Sequence, residues 1–352
     1  MFILIFIIIL AILIVSHEFG HFIVAKLSGI RVDEFGLGFP PRIVGKRWGQ
    51  TTYTLNWIPF GGFVKIFGED PTSLEENDEL RGARFDYKPR IVQAGVVVAG
   101  IVFNVLLAFV LLWIGLTVGL QASTSSFPTG QYEDVHVVVT EVVPGSPAAL
   151  AKVPAGIQIV ELSSGTDVQK IVDADEVVTF MGAHTGKPVS VVAEEGTYVV
   201  VPSPTAGLRL DDVGTVSFGV FGAFVPAIKT TGFLLVGTAK GMAGLLWSLV
   251  HGTADLANVS GPVGIASIVK QAAGIGFGAL LQLTVLLSLS LAVVNVIPFP
   301  ALDGGRLLFI IIESIRRRPL PKQIANYANT AGFALLLVLM VLITYHDIAR
   351  LL

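Results

Sequence analysis

The chain reads as a polytopic α-helical membrane protein of about four transmembrane helices, with a membrane-associated β-hairpin and an inserted β-rich soluble domain. Three observations carry that reading. Hydrophobic residues fill 53% of the 352 positions and charged residues only 14%, with a mean hydropathy of +0.76, far from the near-half apolar and quarter charged mix of soluble domains. Four apolar stretches are long enough to cross a hydrocarbon core of about 30 Å. The first of them holds three ionisable residues, His17, Glu18 and His21, at a depth where each charge costs roughly 2.5 to 3.5 kcal/mol and marks a functional position.

The first span, about 2–27, opens on unbroken apolar sequence without the positive n-region and small-residue cleavage site of a signal peptide, so it is read as retained. A hairpin is expected over about 33–67, because Thr52–Trp57 alternates with period two and runs into Pro59-Phe60-Gly61-Gly62. Glu69–Glu79 is acidic enough for a loop. The second span covers about 91–120. Residues 121–225 then alternate in Val-rich runs (Val135–Val139, Val189–Val192, Tyr198–Val201) between prolines, glycines and acids, the pattern of a small β-rich domain. Residues 226–250 are apolar but broken by Lys229, Lys240 and several glycines, and are read as a helix on the outer surface or dipping into it, within a surface or re-entrant segment of about 226–275. Spans at about 279–297 and 328–345 complete the chain. It thus divides into an N-terminal membrane half (1–120), an extracytoplasmic domain (121–225) and a C-terminal membrane half (226–352).

Charge sets the orientation and removes some functions. The loop from Lys26 to Arg90 carries ten Lys and Arg, Arg306–Lys322 carries five, and the longer β-rich insert four, which puts both basic loops in the cytoplasm and the insert outside. A net charge of -3 and a pI near 6.1 offer no basic face for nucleic acid. With no cysteine, a metal site must be built from His, Asp or Glu.

His17-Glu18-Phe19-Gly20-His21 is an H-E-x-x-H sequence on a predicted helix. At 100° per residue the two histidines differ by about 40° in heading and 6 Å in height, so both imidazoles reach one ion, while Glu18 stands close enough to act on a water without being a ligand. A catalytic zinc site needs a third protein ligand. Asp303 is the candidate, since Pro298 and Pro300 break the chain just before it, and irregular backbone at membrane depth must line a cavity or be buried in protein. Asp303-Gly304 alone would read as a turn; beside an incomplete two-His site it reads as the ligand. A zinc transporter would need more intramembrane acids along a path, and a scaffold without activity leaves Glu18 unexplained.

These residues resemble the site-2 protease family of intramembrane zinc metalloproteases, particularly its bacterial branch that cleaves anti-sigma factors. His17-Glu18-x-x-His21 is similar to its first motif, and Asn295-x-x-Pro298-x-x-x-x-Asp303-Gly304 to its second. Gly100-x-x-x-Asn104 resembles its G-x-x-x-N element, Tyr53–Gly68 its membrane-associated hairpin, and Asn258-Val259-Ser260-Gly261-Pro262 the segment before its third span. The resemblance implies one Zn2+ per chain on His17, His21 and Asp303, Glu18 as acid and base, Asn295 as a polar contact to substrate, and peptide-bond hydrolysis in or near transmembrane segments of other proteins. Gly100 and Asn104 are read as helix-packing residues. Val142–Ala149 resembles the turn and helix start of bacterial PDZ domains, though the usual Gly-Asp appears as Gly156-Ile157-Gln158; a PDZ-like domain implies a peptide or envelope-protein ligand. The expected partners are thus a transmembrane protein substrate, membrane lipid and that ligand, and the expected setting is a bacterial cytoplasmic membrane. The Thr52–Trp57 strand, with Tyr53 and Leu55, is expected to pair by its edge with an unwound substrate.

Overall fold

A computed structural model describes residues 2–69, 78–127, 130–253 and 260–351. The chain forms two compact units, Trp113–Pro226 and the remainder, Met1–Leu112 with Ala227–Leu352. Of the segments singled out above, Asn258, Val259 and most of the acidic Glu69–Glu79 loop lie outside the described residues.

In chain order, α1 is Phe2–Leu27, β1 Val32–Trp48, β2 Thr51–Ile66 and α2 Arg90–Val118. The insert contributes β3 (Leu120–Ser123), β4 (Gln131–Val142), α3 (Pro147–Leu150), β5 (Gln158–Ser164), β6 (Asp167–Lys170), α4 (Ala174–Ala183), β7 (Val189–Ala193), β8 (Gly196–Val200) and β9 (Leu208–Ser217). The chain then continues as α5 (Phe224–Val250), α6 (Pro262–Ile275), α7 (Phe277–Val296), α8 (Asp303–Arg316) and α9 (Lys322–Leu351). By length and composition α1, α2, α5, α7 and α9 could each cross a membrane, so the segment expected to lie on the surface is itself a helix of spanning length.

In the insert, one sheet runs β3-β9-β4-β5-β7-β8, with β6 beside β5. Alternation does what it should: Val137, Val139, Val189 and Val191 point inward with Ile159 and Leu162, onto Val177 and Phe180 of α4. Burying each such side chain from water contributes about 1.5 to 3 kcal/mol. Ser146 caps α3 by accepting the Ala149 N–H, and Asp173 caps α4 through Glu176 N–H.

Lipid gives the helices of the other unit no comparable drive, so close approach and internal hydrogen bonds take over. Gly20 of α1 sits where a Cβ would lie 2.5 Å from the Ala99 carbonyl oxygen of α2. Ser16 Oγ donates to Phe103 O (3.1 Å), and Ser288 Oγ of α7 to Asn104 O (2.7 Å), joining α1 to α2 and α7 to α2. At the far end of α9, Asp347 accepts the Gly264 N–H at 2.7 Å, a carboxylate at the start of α6 where the helix dipole favours it.

The hairpin departs from the simple expectation. Glu34, Phe35, Gly36 and Leu37 of β1 each have two partners, Lys65, Val64, Phe63 and Gly62 on one side and Thr52, Tyr53, Thr54 and Leu55 on the other. Thr52–Asn56 pair in turn with Arg47–Arg42. The two long strands therefore fold back into a small sheet in the order 42–48, 51–56, 32–37, 62–66. Thr52–Leu55 is an inner strand with both backbone edges occupied, so Tyr53 and Leu55 do not form the free edge expected of them. Tyr53 instead packs its ring among Phe22, Phe35 and Trp48. The outer strands are 42–48 and Gly62–Ile66.

Candidate metal centre

Helical spacing on α1 brings His17 Nε2 and His21 Nε2 within 3.2 Å of each other. The Pro298–Leu302 turn, with Ala301 at a φ of 75°, swings the first residue of α8 back over α1, so that Asp303 Oδ2 lies 3.1 Å from His17 Nε2 and 3.2 Å from His21 Nε2. Gly304 and Gly305 make that turn possible, because a Cβ on either would overlap the carbonyl oxygens of Ile297 or Phe299.

The donor triangle fits a metal ion. Ligands 2.0 to 2.1 Å from zinc at the tetrahedral angle stand about 3.3 Å apart. The edges here are 3.1, 3.2 and 3.2 Å. His21 Nδ1 lies 2.8 Å from Val96 O, so the N–H is on Nδ1 and the Nε2 lone pair faces the triangle. Two imidazole lone pairs and a carboxylate oxygen converging on one point, with Asp303 Oδ2 buried and otherwise unpartnered, call for a cation.

Gly100 and Asn104 belong to this centre as well as to the helix interface. A Cβ on Gly100 would overlap His21 Nε2 and lie 2.8 Å from His17 Cε1, so only glycine lets α2 pass behind both imidazoles. The Asn104 amide is 3.4 Å from His17 Nδ1, placed through its nitrogen, while its Oδ1 is buried without a partner. Exchanging the amide atoms, which are told apart by hydrogen bonding alone, lets Oδ1 accept the His17 Nδ1–H and present Nε2 to the metal. Asn104→Ala is therefore expected to weaken zinc binding on the order of 10- to 100-fold with the helices intact, measured by competition with a calibrated chelator.

The cavity over the three donors, about 250 Å³, is lined by Glu18, by Gly62, Phe63, Val64 and Ile66 of the outer strand, and by Glu69 and Arg306. Gly62 touches α1 so closely that a Cβ would lie 3.1 Å from Glu18 Cγ. Burial pushes the Glu69 carboxyl above its ordinary range, with the Arg306 guanidinium pulling the other way. Asn295, in the last turn of α7, is half-buried and is not among the residues lining this cavity. Sequence reasoning missed Gly62, Glu69 and Arg306. Arg306 was detectable as the residue one helical turn past Asp303; Glu69 had no local signal.

An H-E-x-x-H helix closed by a distant carboxylate, enclosed by apolar helices, defines an intramembrane zinc metalloprotease. Residues 5–339 match Peptidase family M50. A Clostridium perfringens protein named "Putative zinc metalloprotease CPE1693" is 37% identical over 347 residues, covering 96% of this chain and 95% of the relative. The Bacillus subtilis regulator of sigma-W protease RasP is 27% identical, with 98% of each chain covered, and the zinc metalloprotease RasP of Geobacillus kaustophilus is 26% identical, covering 98% of this chain and 97% of that one. The chain belongs to Peptidase family M50, the site-2 proteases.

Proposed function

We propose that this protease cuts unwound transmembrane segments presented as an added strand on Gly62–Ile66, with His17, His21 and Asp303 holding the zinc and Glu18 moving the proton. The observation that carries the reading is that the outer strand and the three donors line one cavity. Bound zinc supplies a Lewis acid and lowers the pKa of a coordinated water. Glu18 takes the proton of the attacking water and returns it to the leaving amine. The outer strand supplies backbone donors and acceptors that replace those a substrate helix loses on unwinding, which lipid would otherwise leave unpaired. The Bacillus subtilis relative named as a regulator of sigma-W protease extends the reading to regulated proteolysis.

The same reading has four crossings in a bacterial cytoplasmic membrane, with the site toward the cytoplasm. An ion pair of 2.7 Å between Arg90 and Glu313 supports putting the start of α2 on the side of α8, and its end, near the start of α5, on the other. Asn329 of α9 meets Ala301 beside the site, while Asp347, about 27 Å further along the helix, holds the start of α6. A single crossing by α5 would strand Asp303 at the membrane face opposite His17 and His21, so α5 lies on or dips into the outer surface. In the PDZ-like domain β4 pairs with one edge of Leu208–Asp211 and β3 reaches only Val213–Val216, so among the described residues the other Leu208–Asp211 edge is left for a peptide or envelope-protein ligand.

The test uses purified protein and synthetic single-span substrates, each with one N-methylated backbone amide at successive positions. Strand addition requires cleavage to fall at every second position on one side of the cut, because alternate amides face the pairing strand. A smooth dependence on position would rule it out.

A further inference from the structure

Arg306 stands one turn beyond Asp303 on α8, so the two side chains leave the same face. Its Nη2 is 2.5 Å from Glu69 Oε1. Glu69 is not on a loose loop end: its N–H donates to Ile66 O at 3.2 Å, and Phe67 on the same turn donates to Arg31 O at 2.9 Å. The acid therefore lies three residues past the end of the outer strand, and the base three residues past the third metal donor. One ion pair joins strand to ligand helix across the cavity.

Beyond Arg306 lies a second cavity of about 400 Å³, lined by Ala301, Asn329, Thr330 and Phe333, with Asp303 and Arg306 shared between the two. Arg306, with Asp303, is part of the wall between them. The Glu69 side chain is 16% exposed and the Arg306 side chain 45%; an ion pair open to solvent on one side adds little stability, so a role in fixing geometry accounts better for it.

We propose that Arg306 and Glu69 are a positioning clamp that decides which peptide bond of the added strand stands at the metal donors. The inference rests on the strand-addition reading. A short edge specifies register weakly, because sliding a substrate by two residues, about 6.6 Å, restores the same backbone pairing and the same side-chain faces. The offset between the ladder and Asp303 then depends on how firmly the outer strand is tied to α8. The wall also stops a slipped substrate from running on into the second cavity.

The experiment compares wild type, Glu69→Ala, Arg306→Ala and the exchanged pair Glu69→Arg with Arg306→Glu, reading zinc per chain, kcat, KM and the termini of the products by mass spectrometry. In the single variants zinc and KM should stay near wild type and kcat should fall on the order of 10- to 100-fold, as expected for a misplaced reacting bond. New cuts should appear two residues from the original, and the exchanged pair should restore the original bond. Single variants that keep wild-type kcat and one unchanged cut would overturn the clamp, as would loss of zinc, which would make the pair part of the metal site's own scaffold. The two readings fail separately. An N-methyl scan of wild type without period two removes strand addition, whereas a period-two scan with an unmoved cut in both single variants removes the clamp alone.

Discussion

Glu18→Gln is expected to lower cleavage of a single-span substrate by about 10²- to 10⁴-fold, the usual contribution of a positioned acid–base group, while zinc per chain stays at the wild-type value. Glutamine keeps the size of the side chain and loses its ability to carry a proton between water and the leaving amine. The three donors His17, His21 and Asp303 are untouched, so the metal should remain. Zinc in both proteins with cleavage by wild type alone assigns Glu18 its role. Equal cleavage by both would remove Glu18 from the mechanism, and zinc lost with the substitution would mean that the carboxylate helps to hold the ion.

Gly100→Ala should be nearly as damaging by another route. A single methyl group would overlap His21 Nε2, the atom that faces the metal, and lie 2.8 Å from His17 Cε1. Either α2 moves away from α1 or the imidazoles rotate off the donor triangle, and both outcomes remove zinc. Gly95→Ala is the control, because it is on the same helix and a Cβ there meets nothing within 4 Å. Zinc per chain should fall to a small fraction in the first variant and be unchanged in the second. Retention of zinc by Gly100→Ala would show that the imidazoles keep the donor triangle with a methyl group behind them, and would remove Gly100 from the metal site.

Much of this protein is legible in its amino-acid sequence. The membrane class followed from composition and the H-E-x-x-H pair from helical spacing, because 3.6 residues per turn puts His17 and His21 on one side whatever surrounds them. Asp303 was inferred from a missing ligand and a proline break, and the turn does deliver its carboxylate to both imidazoles. The alternating runs of the insert became strands because each buries one face in a water-exposed domain, where the hydrophobic effect enforces the pattern.

The hairpin was misread at its edge for a physical reason. Period-two alternation in Thr52–Trp57 states that a strand exists, but which neighbours flank it depends on how residues 32–48 and 51–66 fold back on each other, and no local pattern encodes that. Gly100 and Asn104 likewise read as packing residues, since a small residue and an amide on a membrane helix look the same whether the partner is a backbone or an imidazole.

Donor types, their spacing on α1 and the requirement for a third ligand are local properties, so chain chemistry alone makes them legible. Which strand borders the metal, which groups hold the imidazoles, and the meeting of Glu69 with Arg306 across 237 positions depend on the packing of segments remote in sequence. Those relations arise when helices close to van der Waals contact, and they are carried by glycines and buried polar atoms whose role no neighbouring residue reveals.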